Sequence, residues 1–121
     1  MNTAVQQNAE HWVDVCHITD LQPDSGICAL IETQQIAIFY MPKDKAVYAI
    51  ANYDPIGKAN VLSRGLVGDL NGEPVVASPL YKQHFSLTTG HCLEDDSQAV
   101  VCYTARIINE RVEINFPGDP Q

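Results

Sequence analysis

The strongest constraint on this chain is its punctuation. Turn signals stand at Pro23-Asp24-Ser25-Gly26, Glu32-Thr33-Gln34, Pro42-Lys43-Asp44-Lys45, Asn71-Gly72, Thr89-Gly90 and Asn109-Glu110. The stretches between them are short: 27–31 and 35–40 are rich in β-branched and aromatic residues, 46–51 reads as a strand, and 66–70 and 75–77 are apolar runs. An amphipathic helix needs a period near 3.6 sustained over about ten residues or more. No segment supplies it beyond two turns, and only Lys58 to Ser63 reads as a helical turn. Asn71-Gly72 favours positive φ at both turn positions and so predicts a hairpin. A second hairpin is expected from 99–107 and 111–116, turning at Asn109-Glu110. Many short strands between regular turns predict an all-β domain of stacked antiparallel sheets, a sandwich or a partly open barrel. No internal repeat and no low-complexity segment is visible.

The 121 residues suit one domain. It is expected over 11–116, with a polar, frayed segment at 1–10 and a tail, Pro117-Gly118-Asp119-Pro120-Gln121, that cannot continue a strand. A domain of this size buries about two-thirds of the surface its unfolded chain exposes, enough to fold without a metal or disulfide. The formal net charge of −8 repels phosphate backbones and anionic headgroups, which argues against nucleic-acid and membrane partners. No apolar run is long enough to span a bilayer, and the polar opening lacks an export signal, so a cytoplasmic protein is expected. The four cysteines, Cys16, Cys28, Cys92 and Cys102, then read as buried free thiols rather than a disulfide framework.

Catalytic and metal signals are sparse. Cys16-His17 and His91-Cys92 carry donor atoms, but neighbours in a strand point to opposite faces, and regular zinc spacings are missing. His84, Ser86, Asp95 and Asp96 lie near one another without a nucleophile elbow. Gly65-Leu66-Val67-Gly68-Asp69 lacks the Gly-Lys ending of a phosphate loop. The loop Glu94-Asp95-Asp96-Ser97 reads as solvated surface.

Phe85-Ser86-Leu87-Thr88-Thr89-Gly90-His91-Cys92 resembles the closing motif of Rieske iron–sulfur domains. Counting back, Pro79 falls on the family's proline, while Ser78 occupies its Cys position and Tyr81 its His position. Ala49-Ile50-Ala51-Asn52-Tyr53-Asp54-Pro55-Ile56-Gly57 resembles the other ligand loop, with Asp54 at the Cys position and Ile56 at the His position. A Rieske centre takes two thiolates on one iron and two imidazoles on the other. Asp54, Ile56, Ser78 and Tyr81 offer neither. The resemblance therefore implies a Rieske-like fold with no metal, cofactor or catalytic residue of its own. Asp54 is expected to accept backbone N–H bonds in its loop. Ser78 is expected to bond across to it, and Tyr81 to fill the vacated volume with its hydroxyl at the rim.

Cluster-less Rieske-like chains of this length, with Trp12-Val13-Asp14-Val15-Cys16, Gly26-Ile27-Cys28-Ala29-Leu30-Ile31 and Gln35-Ile36-Ala37-Ile38-Phe39, resemble the small subunits of bacterial NAD(P)H-dependent assimilatory nitrite reductases. That resemblance implies an accessory role in reducing nitrite to ammonium. The partner would be a large catalytic subunit carrying FAD, an iron–sulfur cluster and siroheme. The implied contact is the two-loop tip, with Pro55, Ile56, Gly57, Pro79, Leu80, Tyr81 and Lys82; Ile56 and Leu80 could instead plug the empty cavity. The alternatives are a Rieske-type ferredoxin and a stand-alone small-molecule-binding β module that uses the cavity as a pocket.

Overall fold

A computed structural model of the protein describes residues 11–116. The expected frayed N-terminus and C-terminal tail lie outside the described residues. Among the described residues, twelve strands are arranged in four antiparallel sheets. β1 (Trp12–His17), β12 (Arg111–Asn115) and β11 (Ala105–Ile108) form a three-stranded sheet in the order β1-β12-β11. β2 (Ser25–Ile31), β3 (Gln34–Met41), β4 (Ala46–Ala51) and β10 (Cys102–Tyr103) form the central sheet, ordered β10-β4-β3-β2. β7 (Leu66–Leu70), β8 (Glu73–Ala77) and β9 (His84–Ser86) form the third, and β5 (Tyr53–Asp54) with β6 (Ala59–Asn60) a short ribbon. The all-β, stacked-sheet expectation is met.

The central sheet is covered on both faces. In β3 four consecutive residues, Ile36, Ala37, Ile38 and Phe39, have no exposed surface. Strand alternation sends Ile36 and Ile38 into one core with Val47, Ala49, Val112 and Ile114, against the β1-β12-β11 sheet. Ala37 and Phe39 enter a second core with Ile50, Leu62, Val76, Phe85 and Leu87, against the β7-β8-β9 sheet. A strand buried on both faces reads as a continuous apolar run rather than an alternating one. Fully burying a side chain such as Phe39 contributes about 1.5–3 kcal/mol.

The hairpin turns follow local chemistry. Asn71 and Gly72 have φ of 55° and 87°, and Asn109 and Glu110 of 51° and 67°, the all-positive pattern that suits two-residue hairpins. Two expectations are corrected. Lys58 to Ser63 is no helical turn: it contains β6, and the 3₁₀ turn is Leu62–Arg64, anchored by fully buried Leu62. The expected strand 99–107 is broken. Cys102 and Tyr103 pair with β4, whereas Ala105 onward pairs with β12, so the chain crosses between sheets at Thr104. Strand propensity does not encode that change of partner.

Candidate functional site

Two loops close one end of the β7-β8-β9 side of the molecule. The first leaves β5 at Asp54 and the second leaves β8 at Ser78. Both residues are fully buried. Asp54 Oδ1 accepts the backbone N–H of Ile56 at 2.8 Å and of Gly57 at 3.0 Å. Its Oδ2 accepts the Ser78 hydroxyl at 2.5 Å. Ser78 Oγ in turn accepts the Leu80 N–H at 3.2 Å. Each loop is thus organised by its first side chain, and one side-chain hydrogen bond joins them. Buried polar groups must be paired to be tolerated, and here they are.

The loops share a construction that the sequence reading overlooked. Asp54-Pro55-Ile56-Gly57-Lys58 and Ser78-Pro79-Leu80-Tyr81-Lys82 follow one pattern: polar, proline, aliphatic, variable, lysine. Lys58 N–H donates to Asp54 C=O at 2.7 Å, and Lys82 N–H to Ser78 C=O at 3.0 Å. Both lysines take left-handed backbone conformations, with φ of 60° and 67°. Aligning the chain on itself at a spacing of 24 residues exposes this short repeat.

Behind the first loop, Asn52 is nearly fully buried. Its Oδ1 accepts Ser63 N–H at 2.7 Å, and its Nδ2 donates to Gln35 Oε1 at 3.0 Å. It fixes the 52–63 segment against β3, a positioning role missed from sequence because an isolated Asn in a loop carries no pattern.

Of the four positions, Asp54 and Ser78 are brought together, and not as a ligand pair. Asp54 and Ser78 use their facing oxygens on each other, Ile56 has no donor atom, and Tyr81 is 62% exposed. A Cβ built on Gly57 would lie 2.5 Å from Leu80 Cδ1, so the loops pack on one another without room for a methyl group there. A [2Fe–2S] centre that needs two thiolates and two imidazoles does not fit these residues. No group of three or more His, Cys, Asp or Glu able to hold a metal ion occurs among the described residues.

Tyr81 is largely exposed and so does not fill a buried volume as expected, while Leu80 packs over Gly57. Ile56 is half-buried and packs against the second core. Pro55 and Gly57 are half-buried, while Pro79, Leu80, Tyr81 and Lys82 are exposed. A cavity of about 570 Å³ opens elsewhere, between β1 and β2, lined by Val13, Val15, Ile27, Ala29 and Ile31 among others.

The other candidate chemistry dissolves on inspection. Ser86 is fully buried, with Oγ accepting from the backbone of Thr88 and Thr89. His84 is held by Glu94, whose carboxylate takes its backbone N–H at 2.8 Å and meets its Nδ1 at 2.6 Å. Glu94 is thus a clamp on β9 rather than idle surface. Burial pushes its carboxyl up, but the His84 bonds outweigh that and hold it below its ordinary value. His17 caps the 3₁₀ turn Ile18–Asp20. The cysteines are free, as expected, but only Cys92 is buried; Cys28 is exposed on β2, an edge strand. No helix among the described residues is long and apolar enough to cross a membrane.

The Rieske-like [2Fe-2S] domain model matches residues 11–115. The chain is 45% identical over 103 residues to the nitrite reductase (NADH) small subunit of Escherichia coli K12, covering 85% of this chain and 95% of that one. It belongs to the nitrite reductase small-subunit family of Rieske-like domains. The solution structure of the Escherichia coli protein NirD superposes with a TM-score of 0.82 at 42% identity, covering 92% of this chain and all of that one. The Klebsiella oxytoca nitrite reductase [NAD(P)H] large subunit also matches, 41% identical over 101 residues that make up 10% of its length and 84% of this chain. In that protein the small-subunit-like domain is one segment of a longer chain. Family membership makes the Asp54–Ser78 bond informative: in this Rieske-like frame one side-chain hydrogen bond joins the two loops.

Proposed function

We propose that this chain is the accessory small subunit of a cytoplasmic NAD(P)H-dependent nitrite reductase, serving nitrate assimilation by joining a large catalytic subunit. The carrying observation is the 45% identity across nearly the whole of a nitrite reductase small subunit. The match within a Klebsiella oxytoca large subunit supports the partnership, since the same domain there travels with the large chain. FAD, an iron–sulfur cluster and siroheme belong, on this reading, to the large subunit and carry the electrons from nicotinamide to nitrite.

This chain contributes a surface. The donor set at Asp54, Ile56, Ser78 and Tyr81 supports a domain without its own redox centre, because none of the four offers a thiolate or an imidazole. The tip formed by Pro55, Ile56, Gly57, Leu80, Tyr81 and Lys82 is the proposed contact. Leu80 and Tyr81 are 46% and 62% exposed, and exposed apolar side chains grouped on one loop mark interaction sites. Hydrogen bonds and packing hold that tip in shape, where a working Rieske protein uses iron.

Reconstitution tests the reading. NADH-dependent nitrite reduction by the large subunit is measured with and without this chain, and complex formation is followed by gel filtration. Co-elution is expected, together with a colourless isolated chain that takes up no stoichiometric iron under anaerobic reconstitution. Uptake of two irons per chain, or failure to associate with the large subunit, overturns it.

A further inference from the structure

Fifteen acidic residues oppose seven lysines and arginines in this protein. The few cations are not spread evenly in their roles. Arg106 is bonded to Glu113 at 2.7 Å and lies over the Trp12 ring, and Arg111 is bonded to Asp14 at 3.1 Å. Lys43 and Lys45 flank Asp44 on one short turn. Arg64 lies on the 3₁₀ turn that follows the first loop. Lys58 and Lys82 end the two tip loops. Both are exposed, and like Lys43, Lys45 and Arg64 neither takes part in an ion pair among the described residues.

Their placement is built rather than incidental. Positive φ recurs at turns throughout the described residues, at Lys45 too, so it is the shared loop construction that sets Lys58 and Lys82 apart. Here the same backbone bond, from the lysine N–H to the carbonyl four residues back, puts a lysine in that conformation twice. The Ser78–Asp54 bond and the contact of Leu80 with Gly57 hold the two loops against each other. Asp54 is buried and spends its oxygens on Ser78 and its own loop, and Glu94, which meets the end of the second loop at His84, is held there by that residue. Two exposed apolar side chains, Leu80 and Tyr81, stand in the second of these loops.

We infer that the tip is a cationic and apolar plug, with Lys58 and Lys82 flanking Leu80 and Tyr81, that seats in an apolar depression with an acidic rim on the large subunit. The inference rests on the reading that the tip meets that subunit and adds the chemistry of the seat. An acidic body approaching an acidic surface is repelled through most orientations. A local cationic end reverses the sign in one of them, so charge selects the docking pose. Rim charges act chiefly on the association rate and its salt dependence rather than on final affinity.

The test measures association of the full chain with the large subunit at low and at physiological salt. Lys58→Glu/Lys82→Glu is expected to slow association about tenfold or more and to remove the loss of rate with added salt. Lys58→Gln/Lys82→Gln should do the same in weaker form, and Lys43→Glu/Lys45→Glu should leave the rate near that of the parent. Leu80→Asp should abolish the complex, with thermal melting confirming that each variant is folded. If Leu80→Asp abolishes binding while both tip-lysine pairs behave like Lys43→Glu/Lys45→Glu, the acidic seat is wrong and the tip contact stands. If folded Leu80→Asp binds like the parent, the tip contact itself is wrong, and the inference falls with it.

Discussion

Ser78 Oγ donates to Asp54 Oδ2 at 2.5 Å, across a spacing of 24 residues, and neither residue has exposed surface. This bond is the side-chain link between the two tip loops. Removing one partner strands the other, and a buried group left without its hydrogen bond costs more than the bond contributes net.

Ser78→Ala should therefore destabilise the isolated chain by about 1–3 kcal/mol, read as a lower urea midpoint at unchanged slope. Asp54→Ala should cost more, since it also frees the N–H groups of Ile56 and Gly57. In a double-mutant cycle the two losses should be clearly less than additive, because they share one bond. Additive losses would show that the two loops are held together by something else.

Ile56→Asp places a charge on a side chain that packs against the core of Phe39, Leu62, Val76 and Phe85. Its half-burial predicts a loss of about 1–3 kcal/mol in the isolated chain. Ile56→Val, which only trims a methylene, should cost about 0.5–1.5 kcal/mol at most. An unchanged melting temperature for Ile56→Asp would show that Ile56 does not serve as a plug.

The fold was legible in the sequence because hairpins are written locally. Asn71-Gly72 and Asn109-Glu110 turn where their residues suggest, and the run from Ile36 to Phe39 carries the signature of a strand buried on both faces. Asp54 and Ser78 were legible as a pair because the Rieske-like frame fixes where its two loops meet. Tyr81 was misread because a side chain's direction at a loop tip depends on the neighbouring loop, and here it is Leu80 that packs over Gly57 while Tyr81 stays exposed. Cys28 was misread for a related reason. An apolar strand does not announce that it lies at a sheet edge, where one face stays open. Glu94 looked like one more acid in an acidic loop; only the third dimension places it on His84.

Acid should weaken the clamp on β9. Burial raises the Glu94 carboxyl, yet the bonds to His84 leave it below its ordinary value of 4.5, and the Ser97 hydroxyl and N–H hold Asp95 below 3.8. A carboxyl depressed in the folded state stabilises the fold above its ordinary value, and that contribution fades as pH falls through the folded value. Urea midpoints should thus decline as the pH drops below about 4.5, and the decline should be shallower in Glu94→Gln. Parallel curves for parent and variant would remove Glu94 from the acid response.

The cysteines offer a readout of the fold that needs no mutation. Thiolate, not thiol, reacts with alkylating reagents, so both exposure and a raised pKa govern the order of modification. Burial pushes the thiols of Cys16, Cys92 and Cys102 up, with Asp20 adding to the effect at Cys16. Cys28 is exposed on β2, where its sulfur is within hydrogen-bond reach of Gln35, Asn52 and its neighbouring carbonyl. A pulse of iodoacetamide followed by mass spectrometry should label Cys28 first, Cys16 and Cys102 more slowly, and Cys92 only after denaturant opens the second core. Early labelling of Cys92 in the native protein would mean that the segment from Phe85 to Cys92, which supports the second tip loop, opens far more readily than its hydrogen bonds imply.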